Sequence, residues 1–89
     1  MPLNDGQHNS EDTPKENLSY GGQLVGVTFN PSQNHHVAAI KATYADIIDL
    51  LNNERSQTED GEKKRHLSIA ITEAQTAQMW AVKAVTWGL

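Results

Sequence analysis

The segment PSQNHHVAAIKATYADIIDLLNN, from Pro31 to Asn53, has the clearest periodicity in the chain. Its apolar side chains recur every three or four residues, which places them on one face of an α-helix. They are Val37, Ile40, Tyr44, Ile47, Ile48 and Leu51. Asn30 or Ser32 is suited to cap this helix, and proline is tolerated in a first turn. The stretch therefore predicts one amphipathic helix over about 31–53.

A polar turn and a second helix follow the first helix. Residues 52–61 are polar and end in a glycine, as is typical of a turn. From Glu62 to Thr86 the apolar residues again recur at helical spacing, and Gly88 is a natural stop. One stripe of this helix is rich in small residues and comprises Leu67, Ala70, Ile71, Ala74, Ala77, Ala81, Ala84 and Val85. The sequence thus predicts a mainly α fold, an antiparallel two-helix hairpin.

The N-terminal part of the chain divides into two segments. Residues 1–19 are mostly polar, and their charged side chains are Asp5, Glu11, Asp12, Lys15 and Glu16. Such a segment cannot bury enough apolar area to offset its ordering entropy, so we expect a disordered acidic tail before a hairpin domain over 20–89. The run from Leu24 to Phe29 is rich in β-branched residues and ends before Asn30 and Pro31. This run predicts a short β-strand or extended arm.

The composition limits what such a chain can be. A chain of 89 residues forms one domain with a thin core, and without cysteine it has no disulfide to support that core. The net charge of −4 argues against binding of nucleic acid polymers. Because no stretch reaches the roughly 20 apolar residues of a membrane span, we expect no membrane association and a cytosolic location.

The second helix carries apolar side chains on more faces than a hairpin covers. Ile69, Met79, Trp80 and Trp87 lie off the stripe of small residues. Soluble monomers rarely expose a large apolar patch, so these residues predict a homo-oligomer. The alternative is that Trp80 packs against the N-terminal arm of its own chain.

The sequence contains no constellation that indicates catalysis. His35 and His36 are adjacent and point to different helix faces, which is unsuited to a zinc site. Asp46 and Asp49 are expected on the hydrated face, with no opposing carboxylate. No base is placed to activate a serine or threonine. We therefore expect no catalytic residue, no metal, no cofactor and no enzymatic activity.

Lysine residues are the best candidates for ligand contacts. The stem of Lys41 can lie beside the apolar seam while its ammonium reaches a neighbour. An oligomer that brings together Lys41, Lys83 and Phe29 would offer charge for a phosphate and an aromatic face for a base. The run Lys63 to Arg65 is read as a solubilising segment, with anion binding as a second interpretation.

The second helix also resembles a known family. The segment SIAITEAQTAQMWAVKAVT, from Ser68 to Thr86, is similar to the second helix of the hairpin family of phage anti-CBASS and anti-Thoeris sponge proteins. The similarity covers about residues 28–87. The residues that carry it are Thr72, Gln75, Met79, Trp80 and Ala81 in the second helix, and Pro31, Gln33, Ile40, Lys41 and Thr43 in the first.

This resemblance implies a hairpin that assembles into compact oligomers, often hexamers, and binds cyclic nucleotide messengers without cleaving them. In the cyclic-dinucleotide sponges of the family, the pocket uses an aromatic residue near the start of the first helix, a lysine within it and a hydroxyl two residues later. Phe29, Lys41 and Thr43 stand at those places, with Tyr20 as a second aromatic candidate. The implied function is sequestration of cyclic oligonucleotides such as cGAMP, or of cyclic trinucleotides, in the host bacterial cytoplasm, which blocks CBASS signalling.

Other functions stay open at this point. The anti-Thoeris branch binds signals of the cyclic ADP-ribose type and has an asparagine late in the second helix and an arginine in the first. This sequence has Val82 and Lys41 there. A structural or regulatory oligomer that binds only protein is another possibility, and a small phosphodiesterase is a third.

Overall fold

The computed structural model describes residues 18–88, and this part of the chain folds into three α-helices without a β-strand. They are α1 (Tyr20–Val25), α2 (His35–Ser56) and α3 (Gly61–Val85). Helices α2 and α3 form the predicted hairpin. The acidic tail predicted over 1–19 lies outside the described residues except at its end, where Ser19 is the N-cap of α1.

Helix α2 begins later than the sequence indicates. Its N-cap is Asn34, whose side chain accepts hydrogen bonds from the N–H groups of His36 and Val37 at 2.7 and 3.3 Å. The predicted caps, Asn30 and Ser32, instead belong to a turn that also contains Pro31. Gln33 adopts a left-handed φ of 55° at the end of this turn, and such a backbone conformation cannot continue into a right-handed helix.

The C-terminal end of α2 extends beyond the predicted boundary at residue 53. Arg55 donates hydrogen bonds to Asn52 at 3.0 Å and to Ser68 of α3 at 2.9 Å. These contacts stabilise a polar last turn that the sequence pattern assigned to the loop. Helix α3 agrees with the prediction to within one residue at each end, and Asp60 caps it by accepting from the N–H groups of the next turn.

The strand or extended arm predicted over Leu24 to Phe29 is wrong, because Leu24 and Val25 belong to helix α1 and the next three residues form a turn. The hydroxyl of Ser19 accepts from the N–H of Gly22 at 3.0 Å, which caps α1. Gly26, with a left-handed φ of 64°, ends the helix. A strand at this position would have no neighbouring strand among the described residues to accept its backbone hydrogen bonds. A short helix forms backbone hydrogen bonds within itself and buries Val25 in the core.

Helix α1 lies almost in backbone contact with α2. The N–H of Gly21 donates to the Asp49 carboxylate at 2.6 Å, so Asp49 is not on a hydrated face as predicted. A Cβ atom at position 21 would lie 2.1 Å from the carbonyl oxygen of Ala45. Only glycine allows this approach.

The hydrophobic core is small and lies where the three helices meet. Its buried members are Val25, Ala45, Ile48 and Ile71, and the partly buried residues packed on them are Leu24, Val27, Tyr44, Leu51 and Ala74. The buried line along α2 runs through Val37, Lys41, Ala45 and Ile48, while Ile47 is exposed. Of the stripe predicted on α3, Ala77 and Ala84 are exposed. None of the helices between residues 18 and 88 has the length and hydropathy needed to cross a bilayer.

Candidate functional site

Lys41 occupies the middle of the buried line of α2 and is 7% exposed. Its ammonium donates to the carbonyl oxygen of Gly26 at 3.1 Å and to that of Phe29. Burial lowers the pKa of the Lys41 ammonium, because the charged form loses hydration. The neighbour that the Lys41 ammonium contacts therefore belongs to its own chain. These two hydrogen bonds attach the turn after α1 to α2.

Phe29 combines a fixed backbone with a free ring. Its carbonyl is held by Lys41, and its N–H donates to the carbonyl of Gly26 at 2.8 Å. The side chain is 70% exposed, and its ring centroid lies 5.3 Å from the Lys41 ammonium nitrogen. An aromatic face held in this way is suited to stack a flat ligand beside a positive charge.

Two cavities flank this ring. The first, here the loop cavity, measures about 240 Å³ and is lined by Phe29, Asn30, Pro31, Ser32, Val37, Lys41, Val82 and Thr86. The second, here the groove, measures about 540 Å³ and is lined by Gln23, Leu24, Val25, Gly26, Phe29, Lys41, Gln78, Met79 and Val82. Phe29, Lys41 and Val82 line both cavities, so the two cavities adjoin and together make one candidate site.

The other predicted ligand-binding residues do not join this site within one chain. Thr43 is exposed, and its hydroxyl donates to the carbonyl of Ala39 at 2.9 Å. Tyr20 lies under Arg55, whose guanidinium carbon is 5.7 Å from its ring centroid. Lys83 lies over Trp80, with 5.7 Å between its ammonium and the indole centroid. Of the five predicted residues, the structure brings together only Phe29 and Lys41.

A second exposed surface lies on the C-terminal part of α3 and the turn that follows it, and it meets the groove at Met79. Met79, Trp80 and Trp87 are all exposed, Trp80 by 66%. The alternative in which Trp80 packs on the N-terminal arm is not found in residues 18–88. With Thr76 and Lys83, Met79 and Trp80 line a shallow cavity of about 290 Å³. We call Met79, Trp80 and Trp87 the aromatic patch.

Gln78 is a candidate residue that the sequence pattern did not single out. Its side chain is 5% exposed and lines the groove, and no hydrogen-bond partner for its amide is found among residues 18–88. The position lies seven residues after buried Ile71, so helical periodicity alone places it on the inner face of α3. Because glutamine is polar, Gln78 is not part of the apolar helical pattern of α3.

Alternative sites have little support in the described part of the chain. Residues 18–88 contain no group of three or more histidine, aspartate or glutamate side chains that could hold a metal ion. At the start of α3, the N–H groups of Glu62 and Lys63 already bond to Asp60. Arg65 pairs with Glu62 at 2.9 Å, which lowers the pKa of that carboxyl. The anion-binding interpretation of Lys63 to Arg65 is correspondingly weakened.

The fold and the site together define a class of protein: a helical hairpin with a short docking helix and a site built on an aromatic and a lysine. The family model described as Acb2/Tad1, hairpin domain, matches residues 22–86, and the chain belongs to this family. The predicted resemblance is thereby confirmed. The family comprises phage anti-defence proteins that bind cyclic nucleotide signals. No curated protein and no solved structure matches the chain.

Proposed function

We propose that this protein is a non-catalytic sponge for cyclic oligonucleotides, above all cyclic dinucleotides such as cGAMP, with cyclic trinucleotides as further ligands. It acts in the cytoplasm of the host bacterium and blocks CBASS signalling by holding the messenger away from its effector. The observation that carries this proposal is the exposed phenyl ring of Phe29, fixed beside Lys41 between two cavities.

The two residues have different roles in this proposal. Stacking of a base on an aromatic ring contributes roughly 1–3 kcal/mol, and the Phe29 ring is free to do so. An ammonium carries three N–H donors, and Lys41 spends two of them on the carbonyls of Gly26 and Phe29. One donor and the positive charge are left for a phosphate oxygen. Lys41 thus both builds the site and faces the ligand.

The first test concerns Phe29. Phe29→Ala should weaken binding of a cyclic dinucleotide by about 5- to 150-fold, because it removes the stacking face while leaving the backbone contacts of the turn. Phe29→Tyr is the matched control and should bind like the parent, since it keeps the ring. Isothermal titration calorimetry on variants of equal oligomeric mass measures both. Equal affinity of Phe29→Ala and the parent would remove Phe29 from the site.

A sponge of this design is expected to be an oligomer, often a hexamer in this family. Trp80, Trp87 and Lys83 are exposed and do not line either cavity at Phe29 of their own chain, so we expect a second copy to bring them to such a site. We expect light scattering to give a mass several times the 9.8 kDa of one chain. A monomer at micromolar concentration would contradict the expectation. In that case the aromatic patch would have to bind a different protein instead of a second copy.

The exposed aromatic patch also favours a second candidate function, an oligomer that binds only protein. A thermal-shift panel of cyclic dinucleotides, cyclic trinucleotides and cyclic ADP-ribose separates the candidates, because a ligand that binds only the folded state raises the melting temperature. Stabilisation by cyclic ADP-ribose alone would indicate a Thoeris sponge. No stabilisation by any ligand would favour the protein-only function. Intact ligand recovered by chromatography would exclude a phosphodiesterase.

A further inference from the structure

The side chain of Gln78 is the least explained group in the described part of the molecule. It is 5% exposed and lies on the inner face of α3, where Ile71, two turns earlier, belongs to the apolar core. Buried amides are nearly always hydrogen-bonded, yet none of the contacts within residues 18–88 engages this one. An apolar side chain of the same size would stabilise the free protein more, so packing does not account for a glutamine here.

The surroundings of this amide indicate what could pair with it. Gln78 lines the groove, whose other walls at this point include the apolar side chains of Leu24, Val25 and Val82. A cavity of about 540 Å³ lies within the roughly 300–1,000 Å³ typical of small-molecule sites. Apolar walls around a buried neutral amide favour a flat, uncharged ligand fragment over a phosphate, and the amide nitrogen of Gln23, the other glutamine of the groove, already donates to the carbonyl of Leu18. The charge for a phosphate lies at Lys41, on the edge shared with the loop cavity.

A carboxamide presents a donor beside an acceptor, and it can form two parallel hydrogen bonds with a base edge that offers the complementary pair. Adenine offers this pair on its N6–N7 edge, where glutamine and asparagine bind it in nucleic-acid complexes. The corresponding N7–O6 edge of guanine has two acceptors, so the amide oxygen finds no donor there. On the N7 edge of a purine, the amide of Gln78 is therefore matched to adenine.

We propose that Gln78 is a specificity-determining residue that binds the N6–N7 edge of an adenine base of a cyclic dinucleotide in the groove, a role that rests on the proposed sponge function. Phe29 stacks a base at the mouth of the groove, Lys41 faces the phosphates, and the buried amide recognises the base edge. Ligand entry supplies the pairing that no contact within residues 18–88 gives this amide in the free protein.

The test compares Gln78→Met with Gln75→Met. Methionine is close to glutamine in length and shape, and Gln75 is a half-buried glutamine on the same helix that does not line the groove. Titration calorimetry with cyclic di-AMP should show binding to Gln78→Met weakened about 5- to 150-fold, while Gln75→Met binds like the parent. Binding of cyclic di-GMP should change much less. The melting temperature of ligand-free Gln78→Met should rise, because the unpaired amide is gone.

The outcomes separate this inference from the proposed function. If the parent binds cyclic di-AMP and Gln78→Met binds it equally tightly, the inference is wrong while the sponge function stands. The same holds if both ligands are weakened equally, or if the parent binds only cyclic di-GMP. A changed oligomeric mass of Gln78→Met by light scattering would show that the amide pairs with a second copy, which also overturns the proposal. If the parent binds no cyclic nucleotide, both proposals fall.

Discussion

Lys41→Met is expected to destabilise the folded chain by about 1–3 kcal/mol and to weaken ligand binding as well. Methionine fills the space of the lysine stem but has no donor for the carbonyls of Gly26 and Phe29, which Lys41 holds in the structure. The turn that carries the Phe29 ring would lose its attachment to α2. Urea unfolding followed by circular dichroism measures the first effect, and calorimetry with a cyclic dinucleotide below the transition measures the second.

Lys83→Met is the matched control for Lys41→Met. Lys83 is exposed and its ammonium contacts only the face of Trp80 among the described interactions, so its replacement should cost less than about 1 kcal/mol. Equal urea midpoints for parent and Lys41→Met would show that the ammonium does not fasten the turn. Lys41→Glu should be worse than Lys41→Met, because a carboxylate facing two carbonyl oxygens is repelled and has no donor.

The pKa of Lys41 gives this prediction a second readout. Burial lowers the pKa of its ammonium in the folded state, so the folded chain releases this proton at a lower pH than the unfolded chain does. Between the lowered pKa and about 10.4, the unfolded state binds more protons, and stability due to Lys41 rises with pH. The stability difference between parent and Lys41→Met should therefore grow in this alkaline window. A difference that falls with rising pH would mean that the lysine is not desolvated.

The structural role of Lys41 changes how its mutants are interpreted. The sequence alone predicted that the Lys41 stem lies beside the apolar seam while its ammonium reaches a neighbour. In the structure its ammonium binds the chain's own backbone. Loss of binding by Lys41→Ala would therefore mix a lost phosphate contact with a loosened turn. Phe29→Ala is the cleaner test of the site, since the exposed ring is not part of the core described within residues 18–88.

The hairpin was predictable because its signals are local. Helical spacing of apolar residues predicts α2 and α3. The observed ends of α2 differ from the predicted ones because side-chain hydrogen bonds determine where that helix begins and ends. Asn34 competes with Asn30 and Ser32 as N-cap, and the left-handed residue Gln33 decides in favour of Asn34. Helix α1 was not predictable in this way. Its six residues include two glycines, whose low helix propensity is outweighed by docking against α2.

The candidate site was only partly predictable for a related reason. Phe29 and Lys41 are twelve residues apart in sequence and meet because the turn after α1 folds back on α2. Patterns built on apolar residues place Lys41 beside the seam, but the true buried line passes through it and through Gln78 on α3. A pattern of hydrophobic residues cannot predict that polar residues such as Lys41 and Gln78 are buried on the inner faces of the helices. They are also the residues that a ligand-binding function explains best.

Gly21→Ala is expected to have the largest effect of any single methyl group in the described part of the chain. Its Cβ would lie 2.1 Å from the Ala45 carbonyl oxygen and 2.9 Å from both the Ala45 carbonyl carbon and the Asp49 carboxylate. Two of these three atoms belong to the backbone of α2 and cannot turn aside. Helix α1 must therefore move away, which breaks the bond from the Gly21 N–H to Asp49 and loosens the packing of Val25.

We expect Gly21→Ala to lower the free energy of unfolding by about 2–4 kcal/mol, the combined cost of overpacking and of an unpaired half-buried carboxylate. Gly61→Ala is the matched control: no atom lies within 4 Å of its added Cβ, and alanine favours a helix, so its effect should be neutral or slightly stabilising. Urea unfolding of both variants decides. If Gly21→Ala unfolds at the parent's urea concentration, α1 does not dock on α2 through this contact, and the groove it forms with α3 loses its wall.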